Sequence, residues 1–210
     1  MRDLLSCVES FHARWIFRRR VEVLSTILSE LIPDQSTVLD IGCGDGSVGY
    51  LMHEKEPSIT VQGLEMTPRP NCRIQYQVFD GKKMPYGDCS FDACMFVDVL
   101  HHTREIESLL KEGCRVSRGW IVIKDHLCEG SVDRWKLRLM DWVGNRPHGV
   151  HLTYNYQSRG GWMECFAACG LEVAAWQDAI PLYGFPFRLL FSGGLHFVAL
   201  LRRARVSADA

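Results

Sequence analysis

The chain has 210 residues, 47% of them apolar and 23% charged, the proportions of an ordinary globular domain, which exclude a disordered segment or a coiled coil. Lys and Arg number 24 against 25 for Asp and Glu, a net charge of −1 without the basic excess of a nucleic-acid binder. The nine cysteines contain no Cys-x-x-Cys pair, so neither a zinc site nor a disulfide framework is supported.

At this length one core buries roughly 70% of the surface the unfolded chain exposes, and one domain over 1–210 is expected. The start of the chain meets Arg14 and then Arg18, Arg19 and Arg20 before any long apolar run, unlike a signal peptide, so a cytoplasmic location is expected. The most apolar stretch, 180–201, is broken by Arg188, His196, two prolines and three glycines. No stable membrane insertion is expected from it.

From Phe11 to Ile32 apolar residues recur at helical spacing, with Arg18 to Arg20 on the polar side, and Pro33 ends this N-terminal helical cap (1–33). Thr37 to Ile41 reads as a strand that breaks into glycines and resumes as a helix through Met52. Further strands are predicted at 59–64, 74–79 and 91–97, a helix at 105–116 and a fifth strand at 120–123. Strands alternating with helices argue a parallel sheet covered on both faces. Residues 127–160, rich in Trp, Tyr, His and Asn with one short helix near 132–143, read as an insertion covering the substrate site. A helix at 162–168 and strands at 171–176 and 195–203 complete the C-terminal part (161–205).

The segment from Val38 to Gly49 carries the chemistry. Gly42, Gly44 and Gly46 permit a tight strand-to-helix turn and close approach of the backbone to a ligand. Gly44, Gly46 and Gly49 also satisfy the dinucleotide fingerprint, with Glu65 at the distance of a ribose ligand, a weak pattern by itself. Charge separates the cofactor classes. No Lys or Arg lies between Asp34 and Glu54, and a pyrophosphate would meet Asp40 and Asp45 as like charges. A cationic ligand is better matched by the acids at 40, 45, 65 and 80. Asp45 reads equally as the N-cap of the next helix, and Asp92 and Asp88 as structural.

The run Val38-Leu39-Asp40-Ile41-Gly42-Cys43-Gly44-Asp45-Gly46 resembles the first motif of the class I S-adenosylmethionine-dependent methyltransferases, in the small-molecule branch that includes the quinone-biosynthesis C-methyltransferases. The resemblance extends through Glu65, Phe79-Asp80-Gly81 with Met84-Pro85-Tyr86, Ser90-Phe91-Asp92-Ala93, Asp98-Val99-Leu100-His101-His102 and Arg115-Val116, covering 36–126 (the cofactor-binding half, 34–126) and the rest by topology. It implies a Rossmann-like α/β fold, a mostly parallel seven-stranded sheet with helices on both faces and an antiparallel last strand. It implies S-adenosyl-L-methionine as cofactor. Asp40 with the backbone of Gly42, Cys43 and Gly44 would hold the methionine part, Glu65 the ribose, Met66 the adenine or ribose, and Asp80 with Gly81 the adenine. Residues from Val97 and Asp98 to His102 would face the sulfonium and the acceptor.

Methyl transfer needs a base only where the acceptor loses a proton. His101 and His102, after the fourth strand, are candidates, as is His126 beside Asp125 at the end of the fifth, all at the sheet edge where such folds bind ligands. Each reads alternatively as a cap or a satisfied loop histidine. Trp135, Trp142, His148, His151, Tyr154 and Tyr156 are expected to wall an aromatic pocket. Asp141 and Asn145 read as helix-end caps rather than metal ligands, so no metal is expected. The segment 181–187 would add an apolar wall or touch a carrier or membrane surface. The expected function is methylation of a small hydrophobic or aromatic metabolite at O or C, by a monomer or homodimer that binds no nucleic acid. A non-catalytic cofactor-binding or partner-supporting protein and a macromolecule methyltransferase remain the alternatives.

Overall fold

The computed structural model describes residues 15–145, 153–178, 180–185, 191 and 194–204. The first helix, α1 (Phe17–Leu31), ends where Ile32 turns extended, as the ring of Pro33 requires of the residue before it. The chain then alternates: β1 (Thr37–Ile41), α2 (Ser47–Lys55), β2 (Thr60–Glu65), β3 (Tyr76–Val78), β4 (Phe91–Val97), a 3-10 turn (Leu100–His102), α3 (Ile106–Val116) and β5 (Ser117–His126). After β5 come α4 (Ser131–Asn145), α5 (Arg159–Ala168), β6 (Leu171–Gln177) and β7 (His196–Arg203). Helices and strands fall within a few residues of the expected positions. The differences lie in element ends, where β5 runs three residues further at each side.

The seven strands form one sheet in the order β3-β2-β1-β4-β5-β7-β6. β1 pairs parallel with both β2 and β4, and β4 with β5, while β7 runs antiparallel between β5 and β6. Both faces are apolar, in the alternation a covered sheet requires. Leu39, Phe96, Ile121 and Ile123 pack under α3 and α5 with Leu110, Trp162 and Phe166. Their neighbours Val38, Met95 and Val122 face the other way, against Leu24 and Leu28 of α1 and Met52 of α2. Because β1 is followed by β2 on one side and flanked by β4 on the other, the strand order reverses between β1 and β4. The crevice outside their carboxyl ends is where open α/β sheets bind ligands.

Candidate functional site

The loop after β1 is glycine-built for steric reasons. Gly42 has φ +74, and a Cβ there would lie 2.5 Å from Val99. Gly44, at φ +56, has nothing within 4 Å of the Cβ position, so the loop leaves open space over its own backbone. Beneath it Asp40, the penultimate residue of β1, is buried, and its Oδ1 has no hydrogen-bond partner. Burial first, then the charges of Glu65 and Asp45, push the Asp40 carboxyl up to about 7.

The other acids on this side are turned toward their own backbone. Glu65, ending β2, accepts from the amides of Gly44 (3.0 Å) and Met66 (2.8 Å), and Arg69 stands 3.6 Å away. Asp45 accepts from the amide and hydroxyl of Ser47 at the start of α2; it stands one position before the N-cap, which is Gly46 and not Asp45. Asp80 is exposed and accepts from the amides of Lys82 and Lys83, and these bonds hold its carboxyl below the ordinary range. The Met66 thioether lies across Gly81, within 3.0 Å of where a Cβ would stand. Asp92, held by Thr37 and Arg118, is structural as expected.

The carboxyl ends of β4 and β5 are different. Asp98, just past β4 at φ +55, hydrogen-bonds Arg20 of α1 and Lys124 of β5 through separate oxygens. Lys124 is 1% exposed and also lies 3.3 Å from His196 Nδ1. Burial opposes the charge of Asp98, but Lys124 and then Arg20 hold its carboxyl well below the usual range. Asp125 accepts from the amides of Leu100 and His126 and from His101 Nδ1 at 2.7 Å, so one carboxylate fixes the 3-10 turn and the imidazole together. On its far side His101 Nε2 stands 3.5 Å from Asp141 of α4, which also accepts from the Tyr156 hydroxyl. Burial alone would lower the His101 imidazole, but Asp125 and then Asp141 raise it. His102 goes the other way. Burial and the charge of His101 depress it to about 4, and its buried Nδ1 has no partner.

His126 Nδ1 lies 3.2 Å from His101 Nδ1 and 3.3 Å from Asp125. With Asp98 these groups present one ligand atom each within 4.8 Å of one another, a spacing that metal sites share. Here Lys124 and Arg20 pair with Asp98, and His101 with Asp125.

The structure therefore brings Asp40, Gly42, Cys43, Gly44 and Glu65 to one end of the crevice and Val97, Asp98, His101, His102 and His126 to the other. Met66, Asp80 and Gly81 converge beyond β2. Two expectations are corrected. Trp135 and Trp142 do not wall a pocket: the phase of α4 turns Leu137 and Asp141 inward and leaves both tryptophans at the outer surface. Asp141 is not a simple helix-end cap either, because it reaches His101 and Tyr156. Tyr156 is buried beside His101. His148, His151 and residues 186 and 187 lie outside the described residues. Arg20, Lys124 and His196 were missed. Arg20 sits in a basic run that reads as a solvated face, whereas a lysine directly after Ile121-Val122-Ile123 is a legible sign of a buried charge.

A family model described as a methyltransferase domain matches residues 12–175. The chain is 32% identical over 93 residues to a ubiquinone/menaquinone biosynthesis C-methyltransferase of Desulfotalea psychrophila, covering 40% of this chain and 38% of that protein. It is 34% identical over 115 residues to a sarcosine/dimethylglycine N-methyltransferase of Halorhodospira halochloris, covering 48% and 40%. It thus spans well under half the length of these relatives. Among solved structures it resembles a chain of the complex between the Haloferax volcanii Trm112 methyltransferase activator and a methyltransferase, with TM-score 0.69, 17% identity and coverage of 94% and 98%. It also resembles geranyl diphosphate C-methyltransferase of Streptomyces coelicolor, solved with S-adenosyl-L-homocysteine, with TM-score 0.65, 15% identity and coverage of 86% and 78%.

Proposed function

The chain belongs to the methyltransferase domain family, and from that premise we propose that it transfers the methyl group of S-adenosylmethionine to a small, hydrophobic or aromatic metabolite at oxygen or carbon. The observation that carries the cofactor assignment is the buried, unpartnered Asp40 Oδ1 beside the open backbone of Gly44. An isolated buried carboxylate is unfavourable, and a cationic ligand group supplies what it lacks. S-adenosylmethionine fits, having an ammonium and a sulfonium. A dinucleotide pyrophosphate does not.

On this reading Asp40 and the Gly42–Gly44 backbone, Cys43 included, take the methionine part. Glu65 takes the ribose hydroxyls in exchange for an amide it now holds, and Met66, Asp80 and Gly81 form the adenine slot. Val97 lines the path between cofactor and acceptor. Asp98 has both oxygens committed to cations, and we assign it to hold the turn that presents His102. The cofactor supplies an electrophilic methyl whose sulfur keeps the bonding electron pair as the acceptor's lone or π pair forms the new bond. The chain's own part is alignment and exclusion of water, worth up to about 7–11 kcal/mol in well-oriented systems.

The acceptor proton needs a destination. His101, bracketed by Asp125 and Asp141, retains a proton rather than taking one. His126 shares Asp125 with it, and burial followed by the His101 charge lowers its affinity for a proton. His102 is neutral at ordinary pH, with a buried ring nitrogen and no partner. An acceptor atom becomes strongly acidic as it takes a methyl, so even a weak base suffices, and we assign His102 to it.

Calorimetric titration with S-adenosylmethionine and S-adenosylhomocysteine, followed by a labelled-methyl screen of metabolite extracts, tests the proposal. Binding in the micromolar range with acceptor-dependent label is expected. No binding at millimolar cofactor would sink it.

A further inference from the structure

The outward face of α4 exposes large apolar side chains. Val132 is 63% exposed and Trp135 66%, and Leu139 and Trp142 continue the line in lesser exposure. At about 100° per residue these four positions fall within roughly 80° of one another, a single stripe along the helix. Isolated exposed apolar residues need no explanation, but a contiguous line with two tryptophans marks an interaction surface. Charge frames the stripe asymmetrically. Arg134 and Arg138 flank it on one side and Lys136 on the other, and no ion pair among the described residues engages them; Arg138 lies over the Tyr154 ring. Both acids of the helix face away from the stripe: Asp133 accepts from the Glu129 amide, and Asp141 is buried against His101 and Tyr156.

We infer that α4 is an interfacial helix that seats the protein on an anionic lipid bilayer. Indole rings favour the boundary between headgroups and acyl chains, and a basic rim on an otherwise apolar face is the pattern of helices that lie in that boundary. A second copy of the chain fits poorly, because pairing this face with itself sets Arg134, Arg138 and Lys136 against one another with no acid on the rim. The length of α4, 15 residues, suits lying on a bilayer, and no described helix is long and apolar enough to cross one. A second exposed aromatic and basic patch is formed by the start of α1 and the 181–185 segment. Trp15 packs over Gly184, Phe185 is 74% exposed, and Arg19 donates to the Pro181 carbonyl. Because the inner side of α4 carries Asp141 to His101, bilayer seating places the crevice next to the membrane. The corollary that the methyl acceptor is dissolved in lipid rests on the methyl-transfer reading, while the seating itself does not.

Flotation with vesicles tests the inference without cofactor or acceptor. The protein is expected to float with vesicles of equal parts phosphatidylcholine and phosphatidylglycerol, to do so weakly with phosphatidylcholine alone, and to be released by molar salt. Trp135→Glu and Leu139→Glu should each lower the bound fraction about tenfold, and the pair Arg134→Glu with Arg138→Glu should abolish the preference for anionic vesicles. All are surface changes, and unchanged calorimetric binding of S-adenosylhomocysteine would show that fold and cofactor site persist. Failure of the wild-type protein to float at low salt overturns the inference. So does flotation of Trp135→Glu at the wild-type level, or a dimer in solution that the same substitution dissolves.

Discussion

At the β1–β2 end of the sheet's carboxyl edge four acids, Asp40, Asp45, Glu65 and Asp80, stand with Arg69 as their near cation, and the most buried of them has an oxygen with no partner. At the β4–β5 end Asp98, Asp125 and Asp141 are matched by Arg20, Lys124 and His101. Both ends bury charge. Only the first leaves charge unanswered. A compensated buried network holds the chain to itself, and removing one member strands its partner. An uncompensated one weakens the free protein and rewards whatever ligand completes it. The difference is why the proposed function sets the cationic end of the ligand at Asp40 and treats the β4–β5 cluster as the frame of the acceptor side.

Substitutions that treat the two ends alike should have opposite results. The largest effect is expected for Lys124→Met, which removes one of the two cations hydrogen-bonded to Asp98. Urea unfolding should show a loss of about 3–5 kcal/mol, and an unchanged midpoint would mean that the cluster is not the scaffold described.

Asp40→Asn should do the reverse for stability while weakening S-adenosylmethionine binding on the order of a hundredfold. In the folded protein the Asp40 carboxyl is raised to about 7, above its unfolded value near 4. Free wild-type protein therefore loses stability as pH rises from about 4 to 7, and the Asn variant should lack that slope and melt higher at pH 8. Cofactor binding favours ionised Asp40, so wild-type affinity should fall up to about tenfold per unit as pH drops below 7. A flat pH profile would detach Asp40 from the ligand.

His102→Ala removes a neutral side chain with an unpartnered nitrogen, so the fold and the cofactor Kd should hold while kcat falls about a hundredfold. Equal turnover in variant and wild type would strike His102 from the mechanism. Asp80→Asn should have the smallest effect. The acid is fully exposed and an amide oxygen can keep the turn's hydrogen bonds, so a few-fold rise in the cofactor Kd is expected by calorimetry. A loss as large as that of Asp40→Asn would erase the distinction between buried and exposed acids.

Much of the first end was legible in the sequence. The glycines that relieve crowding at Gly42, and the lack of a cation between Asp34 and Glu54, are both local features. The second end was legible only as residue names. His101, His102 and His126 could be placed at one sheet edge, but which would be charged, neutral or shared depended on Asp141, 40 positions from His101 and on a different helix. Arg20 reaches Asp98 across 78 positions, and nothing in a run of three arginines tells which one turns inward.

The sequence by itself determined the order of strands and helices, because apolar residues must recur with the period of the element that buries them. It also carried the charge argument for a cationic ligand, because the acids and glycines of that loop lie within a dozen residues. Only the tertiary structure decided which buried charges are answered and which side of α4 faces out. Coulombic pairing depends on distances of a few ångströms between segments far apart in the chain. The apolar residues of α4 lie on more than one side of the helix, and its packing against the 153–157 segment, not its periodicity, chose Leu137 for the core and Trp135 for the surface.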